Sequence, residues 1–161
     1  MRLALFQPDI PGNAGSIMRT AVCLGISVDI IEPCGFVLSD KQLRRAGMDY
    51  LDQLDLTNHS SWKAFQNSYS LGNSIKTPVN RLVLLSTKAD NNFLDFSYNK
   101  DDILLVGQES AGVPQNVHAI ADSKVRIPMK RNTRSLNVSA ALAMVLGEAL
   151  RQTNGFSSEL Y

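Results

Sequence analysis

The stretch LALFQPDIPGNAGSIMRTAVCLGISVDII, residues 3–31, decides the fold class. It begins and ends with short apolar runs, LALF and VDII, that are typical of buried strands. Between these runs a stripe of apolar residues recurs at helical spacing: Ile17, Ala21 and Leu24. Gly25 follows the stripe, and glycine commonly ends a helix because it adopts the left-handed conformation without strain. The stretch therefore predicts a strand, a helix and a second strand, the repeating unit of a parallel sheet.

The same alternation continues towards the C-terminus. Four further runs predict strands: LDLT at 54–57, RLVLLST at 81–87, DILLVG at 102–107 and KVRIP at 124–128. Two of them contain LVLL and ILLV, which lack alternation and suit central strands buried on both faces. A second helical stripe is assigned to the core and is capped by Ser60 or Ser61: Trp62, Phe65 and Tyr69. We therefore predict an α/β fold whose mainly parallel sheet is flanked by helices on both faces.

The last predicted helix, SLNVSAALAMVLGEALRQ at 135–152, is apolar around much of its circumference. Ser139, Ala143 and Gly147 place small residues at four-residue spacing on one face, where another helix could approach closely. Two interpretations remain open for this face: an interface between subunits, or packing within the chain.

Length and composition are typical of a globular protein. The chain has 161 residues, of which 44% are hydrophobic and 19% charged, enough for one domain with a full core. No run approaches the roughly 20 apolar residues that a membrane helix needs, and MRLALFQP is too short for a signal peptide. We expect a cytosolic protein without membrane contact, with a single domain at 1–154 and a flexible tail at 155–161.

The cysteines and histidines show no metal-site pattern. Cys23 and Cys34 are separated by ten residues and form no C-x-x-C pair, so we expect free, partly buried thiols. His59 and His118 each stand apart from other potential ligands, and we expect surface or core histidines. The sequence therefore predicts no bound metal.

The distribution of charge is more informative than the net charge of +1. KVRIPMKRNTR at 124–134 contains five cations and no acid, and DKQLRRAG at 40–47 adds Lys41, Arg44 and Arg45. Each segment is compatible with a solvated surface or with a surface that contacts phosphates.

Three predicted loops at the carboxyl ends of strands, where parallel sheets bind ligands, carry distinctive residues. They are N-x-G-x-x-x-R at 13–19, G-x-E-x-x-G-V-P at 107–114, and R-I-P at 126–128 followed by S-L-N at 135–137. The chain lacks G-x-G-x-x-G, a P-loop and the G-x-S-x-G elbow, which argues against a Rossmann dinucleotide site, a P-loop nucleotidase and a serine hydrolase.

In this order the motifs resemble those of the SPOUT superfamily of RNA methyltransferases, and within it the small YibK-like group, which methylates the ribose of the tRNA wobble nucleotide. The resemblance extends from residue 3 to about 152 and includes PDIPGNAGSIMR, LVGQESAGVP and RSLNVSAAL. It implies a fold with a C-terminal trefoil knot, S-adenosyl-L-methionine held in the knotted loops, and a homodimer that shares the active site. It also implies methyl transfer to the 2'-hydroxyl of a tRNA, with leucine tRNAs as the expected substrates, and no metal.

The resemblance assigns the methyl-donor contacts to Leu85, Gly107, Ile127 and Ser135. Gly107 would let the backbone approach the ligand closely. Arg19 matches the arginine of the acceptor site. A guanidinium has donors but no acceptor, so we expect Arg19 to bind the target phosphate and to stabilise the developing alkoxide rather than to act as a base. Ser135 and Asn137 would serve donor and substrate, and Ser135 alternatively caps the last helix.

Supporting roles are expected for a further set of residues: Asn13, Glu109, Arg44, Arg45 and Arg134. Asn13 would cap or shape the loop that presents Arg19, and Glu109 would hold Arg19 or backbone amides. Two alternatives remain: a methyltransferase that acts on ribosomal RNA, and a noncatalytic RNA-binding module of the same fold. The presence of Arg19, Ser135 and Asn137 favours an enzyme.

Overall fold

A parallel sheet forms the centre of the fold in a computed structural model, which describes residues 1–37, 51–72 and 80–156. The strands are β1 (Arg2–Phe6), β2 (Ser27–Ile31), β3 (Leu56–His59), β4 (Leu82–Leu85), β5 (Asn91–Asn92), β6 (Ile103–Val106) and β7 (Ser123–Arg126). Their order is β3-β2-β1-β6-β4-β7-β5, and each of these neighbouring pairs is parallel. The predicted α/β fold class is confirmed.

Helices cover both faces of the sheet, as predicted. They are α1 (Pro11–Leu24), α2 (Trp62–Ser68), α3 (Gln115–Ile120) and α4 (Val138–Thr153), with a short 3-10 helix at Leu51–Gln53. On one face α1 and α4 contact each other and pack on Leu3, Leu5 and Leu104. On the other face α2 and α3 pack on Leu84 and Leu105. Strands β1, β4 and β6 are therefore buried on both sides, which explains their unbroken apolar runs.

The helix ends follow local sequence signals. Gly25 ends α1 with a φ of 64°, in the left-handed region that favours glycine. The Ser61 hydroxyl accepts a hydrogen bond of 3.2 Å from the Ala64 amide, so Ser61 rather than Ser60 caps α2. Asn137 caps α4 by accepting hydrogen bonds from two amides of the first turn. Ser135, the alternative cap predicted for this helix, lies two residues before the cap position.

The strands differ from the prediction in detail: β4 and β7 end two residues before the ends of the predicted runs, β3 is shifted, and β5 is additional. β3 begins two residues later than LDLT, because its parallel register pairs Leu56 with Val28 and ends with His59 beside Ile31. β5 was not predicted, since asparagine has a low preference for strands, and its two residues pair with the end of β7. None of these differences moves the loops that carry the motifs.

A buried polar cluster joins β1, β2 and β3. Asp29 is fully buried and accepts hydrogen bonds from Arg2 Nε at 2.8 Å and Tyr69 OH at 2.9 Å. Its carboxylate is also 2.7 Å from His59 Nε2. Burial and, next, the charge of Asp29 raise the pKa of Tyr69 to about 12. His59 is therefore a core histidine, one of the two roles predicted for it.

The described residues do not test some of the predictions. Arg44, Arg45 and residues 157–161 of the expected tail lie outside the described residues. The trefoil knot and the single-domain boundary at 154 also stay predictions. Within the described ranges, no helix is long and apolar enough to cross a membrane.

Candidate functional site

A cavity of about 650 Å³ lies beyond the carboxyl ends of β4, β6 and β7. Its walls come from the loops that follow these strands, 85–88, 107–113 and 126–129, and from the beginning of α4. The volume is within the range of about 300–1,000 Å³ that small-molecule sites occupy. The position is the one at which open parallel sheets bind their ligands.

The cavity brings together most of the residues that the sequence predicted. Those that line it are Asn13, Leu85, Gly107, Glu109, Ile127, Ser135 and Asn137. Arg19 and Arg134 are exposed and lie outside the lining. The three motifs, although far apart in sequence, therefore meet around one space.

The tight turn from Gly107 to Gly112 leaves no space for a side chain at position 107. A Cβ at this position would lie 2.4 Å from the carbonyl carbon of Gly112, closer than real Cβ atoms come. Gln108 and Gly112 exchange two backbone hydrogen bonds of 2.8 and 2.9 Å, and Gly112 has a φ of 71°. The two glycines thus form a tight turn at the cavity wall, and any side chain at Gly107 would displace backbone.

Asp9, which the sequence reasoning missed, fastens the loop after β1 to the loop after β6. The Asp9 amide donates to Glu109 Oε2 at 3.1 Å, and the Glu109 amide donates to Asp9 Oδ1 at 3.1 Å. The Asp9 carboxylate also accepts hydrogen bonds from the Ser110 amide, at 3.3 Å, and from the Ser110 hydroxyl. This reciprocal clamp holds the loop that begins with Gly107.

Asn13 extends the clamp to α4. Its Nδ2 donates to Glu109 Oε1 at 3.0 Å, and its Oδ1 accepts from Asn137 Nδ2 at 2.8 Å. Asn137 Oδ1 in turn accepts from the amides of Ser139, at 2.9 Å, and Ala140, at 3.3 Å. A continuous chain of hydrogen bonds therefore runs from Asp9 to the beginning of α4.

For Asn13 and for Glu109, one of the two predicted alternatives agrees with the structure: Asn13 shapes the loop, and Glu109 holds a backbone amide. Asn13 does not cap α1, because the helix begins two residues earlier at Pro11, whose ring is pre-set for the first helical position. Glu109 does not hold Arg19 and instead accepts hydrogen bonds from Asn13 and the Asp9 amide, so the backbone alternative was correct. The side chains of Asn13 and Glu109 therefore hold the loops at the cavity in place.

The two carboxyl groups of the clamp have opposite pKa shifts. The hydrogen bond with the Glu109 side chain, together with those from Ser110 and backbone amides, lowers the pKa of Asp9 to about 2. Burial and, next, the hydrogen bond with Asp9 raise the pKa of Glu109. On acidification Glu109 is therefore protonated before Asp9.

Arg19 lies on the exposed face of α1. The buried side of this helix is formed by Ala14, Gly15, Ile17, Met18 and Ala21. Arg19 does not point into the core, and it makes no hydrogen bond or salt bridge with a described residue. Its guanidinium is consequently available to a partner outside its own fold.

Other lining residues carried no clear signal in the sequence. Lys88, Gln115, His118 and Met129 all border the cavity. A single lysine, glutamine or methionine has no diagnostic spacing, and His118 on a short helix reads like a core residue. Among the described residues, no group of three histidine, cysteine or acidic side chains could hold a metal ion.

Comparison with known proteins agrees with this geometry. The profile of the SpoU rRNA Methylase family matches residues 1–147. A tRNA (cytidine(34)-2'-O)-methyltransferase from Beijerinckia indica is 56% identical over 155 residues, which cover 96% of this chain and 93% of that protein. The protein of the same name from Escherichia coli K12 is 38% identical over 154 residues, 94% of this chain and 93% of that protein.

The fold is also similar to the solved structures of methyltransferases. One reported as "Structural insights into the 2-OH methylation of C/U34 on tRNA" matches with a TM-score of 0.85 and 37% identity, covering 96% of each chain. The SpoU methyltransferase AviRb from Streptomyces viridochromogenes, in complex with the cofactor AdoMet, matches with a TM-score of 0.82 and 29% identity. The match covers 94% of this chain and 60% of that one.

Proposed function

This chain belongs to the SpoU rRNA Methylase family, and from that premise we propose that it methylates the ribose 2'-hydroxyl of nucleotide 34, the wobble position, of a tRNA. The methyl donor is S-adenosyl-L-methionine. The observation that carries the proposal is the meeting of all three motifs around one cavity, in a chain that is 56% identical to a tRNA (cytidine(34)-2'-O)-methyltransferase. For leucine tRNAs as substrates, the support is the sequence resemblance.

The residues around the cavity fit the methyl donor. Leu85, Val106, Ile127 and Leu136 supply aliphatic walls for a purine ring, and Gly107 and Gly112 bring backbone to the cavity wall. The Ser135 hydroxyl is available to a polar group of the ligand. When bound, the donor supplies a methyl group that its sulfonium already activates, so the protein has to provide proximity and charge stabilisation.

Asn13, Glu109 and Asn137 support the reaction by positioning. Their side chains are occupied by one another and by the first turn of α4. This network holds the Gly107 loop and the segment before α4, which both line the donor site, in a fixed relative position. Asn137 therefore affects the substrate indirectly, because it helps to hold the segments that form the site.

Arg19 contributes through a homodimer. It lies outside the cavity of its own chain, so a role at the acceptor hydroxyl requires that it reach the cavity of a second copy. Met144, a large hydrophobic residue on α4 that is 46% exposed, is consistent with such an arrangement, and Ile10 and Leu136 at the rim of the cavity are also exposed. In the shared site, the guanidinium would bind a phosphate and stabilise the negative charge that develops on the 2'-oxygen. The hydroxyl proton is lost to solvent water as this oxygen takes the methyl group from sulfur, and S-adenosylhomocysteine leaves.

The tRNA is held by exposed cations beside the cavity. Arg126 at the end of β7 is exposed, and so are three cations on the segment that follows the strand: Lys130, Arg131 and Arg134. In a dimer this basic segment occurs twice, which compensates for the small net charge of +1. Anticodon loops expose unpaired nucleotides, so a ribose there can enter the cavity without opening a duplex. We place this reaction in the cytosol.

Transfer of labelled methyl groups from S-adenosyl-L-methionine to purified total tRNA and to ribosomal RNA tests this proposal. We expect label in tRNA alone. The family description names rRNA methylases, so label in ribosomal RNA alone would support the second candidate, and label in neither would indicate a noncatalytic module.

A mixed dimer tests the shared site. Arg19→Ala and Gly107→Trp each inactivate a homodimer, the first at the acceptor and the second in the donor cavity. A heterodimer of the two variants contains one cavity with an intact Arg19 from the partner, so activity should return to up to about half of the wild-type level per dimer. An inactive heterodimer would place Arg19 within its own protomer's site.

A further inference from the structure

The loop after β2, residues 32–37, contacts the loop after β1 at Gly35. A Cβ at position 35 would lie 2.9 Å from both Cα and Cβ of Asp9, and 3.3 Å from the Asp9 carbonyl oxygen. Carbon atoms in favourable contact are about 3.5–4.0 Å apart. The two backbones are therefore so close that only glycine fits at position 35 without moving Asp9.

The conformation of Gly35 does not by itself require glycine. Gly25 and Gly112 have a positive φ, whereas Gly35 does not. Alanine at position 35 would therefore meet no left-handed backbone, and the contact with Asp9 is the reason for glycine at this position.

Hydrogen bonds hold the two loops together. The Gly35 amide donates to the Pro8 carbonyl at 2.9 Å, and the Gln7 amide donates to the Ile31 carbonyl at 2.9 Å. Because these bonds oppose separation of the loops, a methyl group added at position 35 would displace Asp9, by about 0.5 Å if an ordinary contact is to be restored.

Asp9 connects this contact to the cavity. Its carboxylate accepts hydrogen bonds from the Glu109 amide at 3.1 Å and from the Ser110 amide at 3.3 Å. Both are longer than the usual N–H···O distance of about 2.9–3.0 Å, so a further displacement would weaken them. Glu109 belongs to the loop that begins at Gly107 and lines the cavity. A single residue, Asp9, therefore stands between Gly35 and this loop.

We propose that Gly35 is a positioning residue for the methyl-donor site and that it acts through Asp9. Gly35 does not line the cavity. Because it lacks a side chain, Asp9 can occupy the position from which its carboxylate holds the Gly107 loop. This inference rests on the proposed function, and it gives a role in donor binding to a loop outside the three motifs.

Calorimetric titration with S-adenosylhomocysteine tests the proposal. We expect Gly35→Ala to bind about 3- to 10-fold more weakly than the wild type, the equivalent of one hydrogen bond. In methyl transfer, the KM for the donor should rise by a similar factor, while the kcat at saturating donor should stay within about twofold of the wild type. Gly12→Ala is the matched control, since a Cβ at Gly12 meets nothing within 4 Å, and its affinity should equal that of the wild type.

A double-mutant cycle separates this route from a general loss of stability. In Asp9→Ala the carboxylate is already absent, so the addition of Gly35→Ala should weaken binding by less than about 1.5-fold. An equal loss in both backgrounds would overturn the proposal. A lower melting temperature of Gly35→Ala with unchanged affinity would also overturn it, because the glycine would then be only structural.

Amide hydrogen exchange in the wild-type protein tests the same connection without a substitution, even if Gly35→Ala does not fold. Saturation with S-adenosylhomocysteine should slow exchange of the Gly35 amide more than that of the Leu71 amide, which donates to the Gln66 carbonyl. No slowing at Gly35, or equal slowing at both amides, would overturn the proposal. A wild-type protein that bound no S-adenosylhomocysteine would instead refute the proposed function.

Discussion

The clamp between Asp9 and the loop that begins at Gly107 predicts that a residue outside the cavity lining controls donor binding. Asp9→Ala removes the carboxylate that accepts hydrogen bonds from the amides of Glu109 and Ser110 and from the Ser110 hydroxyl. At about 0.7 kcal/mol for each partly exposed bond, the loss is about 2 kcal/mol.

Most of this loss should appear as weaker donor binding, since the released loop forms a wall of the cavity and has to be ordered again when the ligand enters. A free-energy change of about 2 kcal/mol corresponds to about 30-fold in the dissociation constant. Calorimetry of S-adenosyl-L-methionine binding measures this change directly. Asp9→Asn retains one acceptor and should lie between wild type and Asp9→Ala.

Asp95→Ala serves as the matched control, because Asp95 is an exposed acid outside the cavity lining. Its dissociation constant should equal that of the wild type. A value for Asp9→Ala within about twofold of wild type, in a variant that remains folded, would refute the idea that the clamp organises the donor site.

Three further predictions concern the acceptor side, the core and the pH dependence of the clamp. Arg19→Ala should abolish methyl transfer and leave donor binding near normal by calorimetry; Arg19→Lys should not restore full activity, because an ammonium lacks the planar fork of the guanidinium. Asp29→Ala should lower the free energy of unfolding in urea by about 3–5 kcal/mol, since it strands Arg2 and His59 in a largely buried cluster, and a loss below about 1 kcal/mol would contradict this. The pKa of Asp9 lies below its ordinary value, at about 2, so its ionisation stabilises the fold above the unfolded pKa of about 4 and this contribution is lost as the pH falls towards 2. The stability advantage of the wild type over Asp9→Asn should accordingly shrink between pH 4 and pH 2 in urea titrations, and an advantage that grew instead would show that the sign is wrong.

The sequence was sufficient for the elements whose signals are local. Gly25 ends α1 because it adopts the left-handed conformation. Ser61 begins α2 because its side chain accepts a hydrogen bond from the first turn. The unbroken apolar runs identified β4 and β6 as central strands, since burial on both faces leaves no polar positions. The cavity could also be predicted, because the carboxyl ends of neighbouring parallel strands share one edge of the sheet.

Contacts between distant segments could not be read from the sequence in the same way. Asp9 and Glu109 are 100 positions apart, and neither carries a local pattern that requires the other. The unpaired Nε2 of His118 depends on packing around a short helix, which periodicity does not determine. The β5 asparagines form a strand only because the end of β7 offers its backbone for pairing.

Two features were within reach of sequence reasoning and were missed. Pro11 is a typical first residue of a helix and marks the true beginning of α1. With that beginning, Asn13 falls inside the helix. The same periodicity that buries Ile17, Met18 and Ala21 leaves Arg19 on the opposite side. An exposed Arg19 therefore follows from the helix itself.

The proposed activity is methylation of a tRNA at the ribose of nucleotide 34. The most direct measurement uses total tRNA from cells that lack this chain, incubated with the purified protein and S-adenosyl-L-methionine, digested with a ribonuclease and mapped by mass spectrometry. We expect one added methyl group on the ribose of nucleotide 34, and none with Arg19→Ala. A methyl group on a base, or on a ribose outside the anticodon loop, would contradict it.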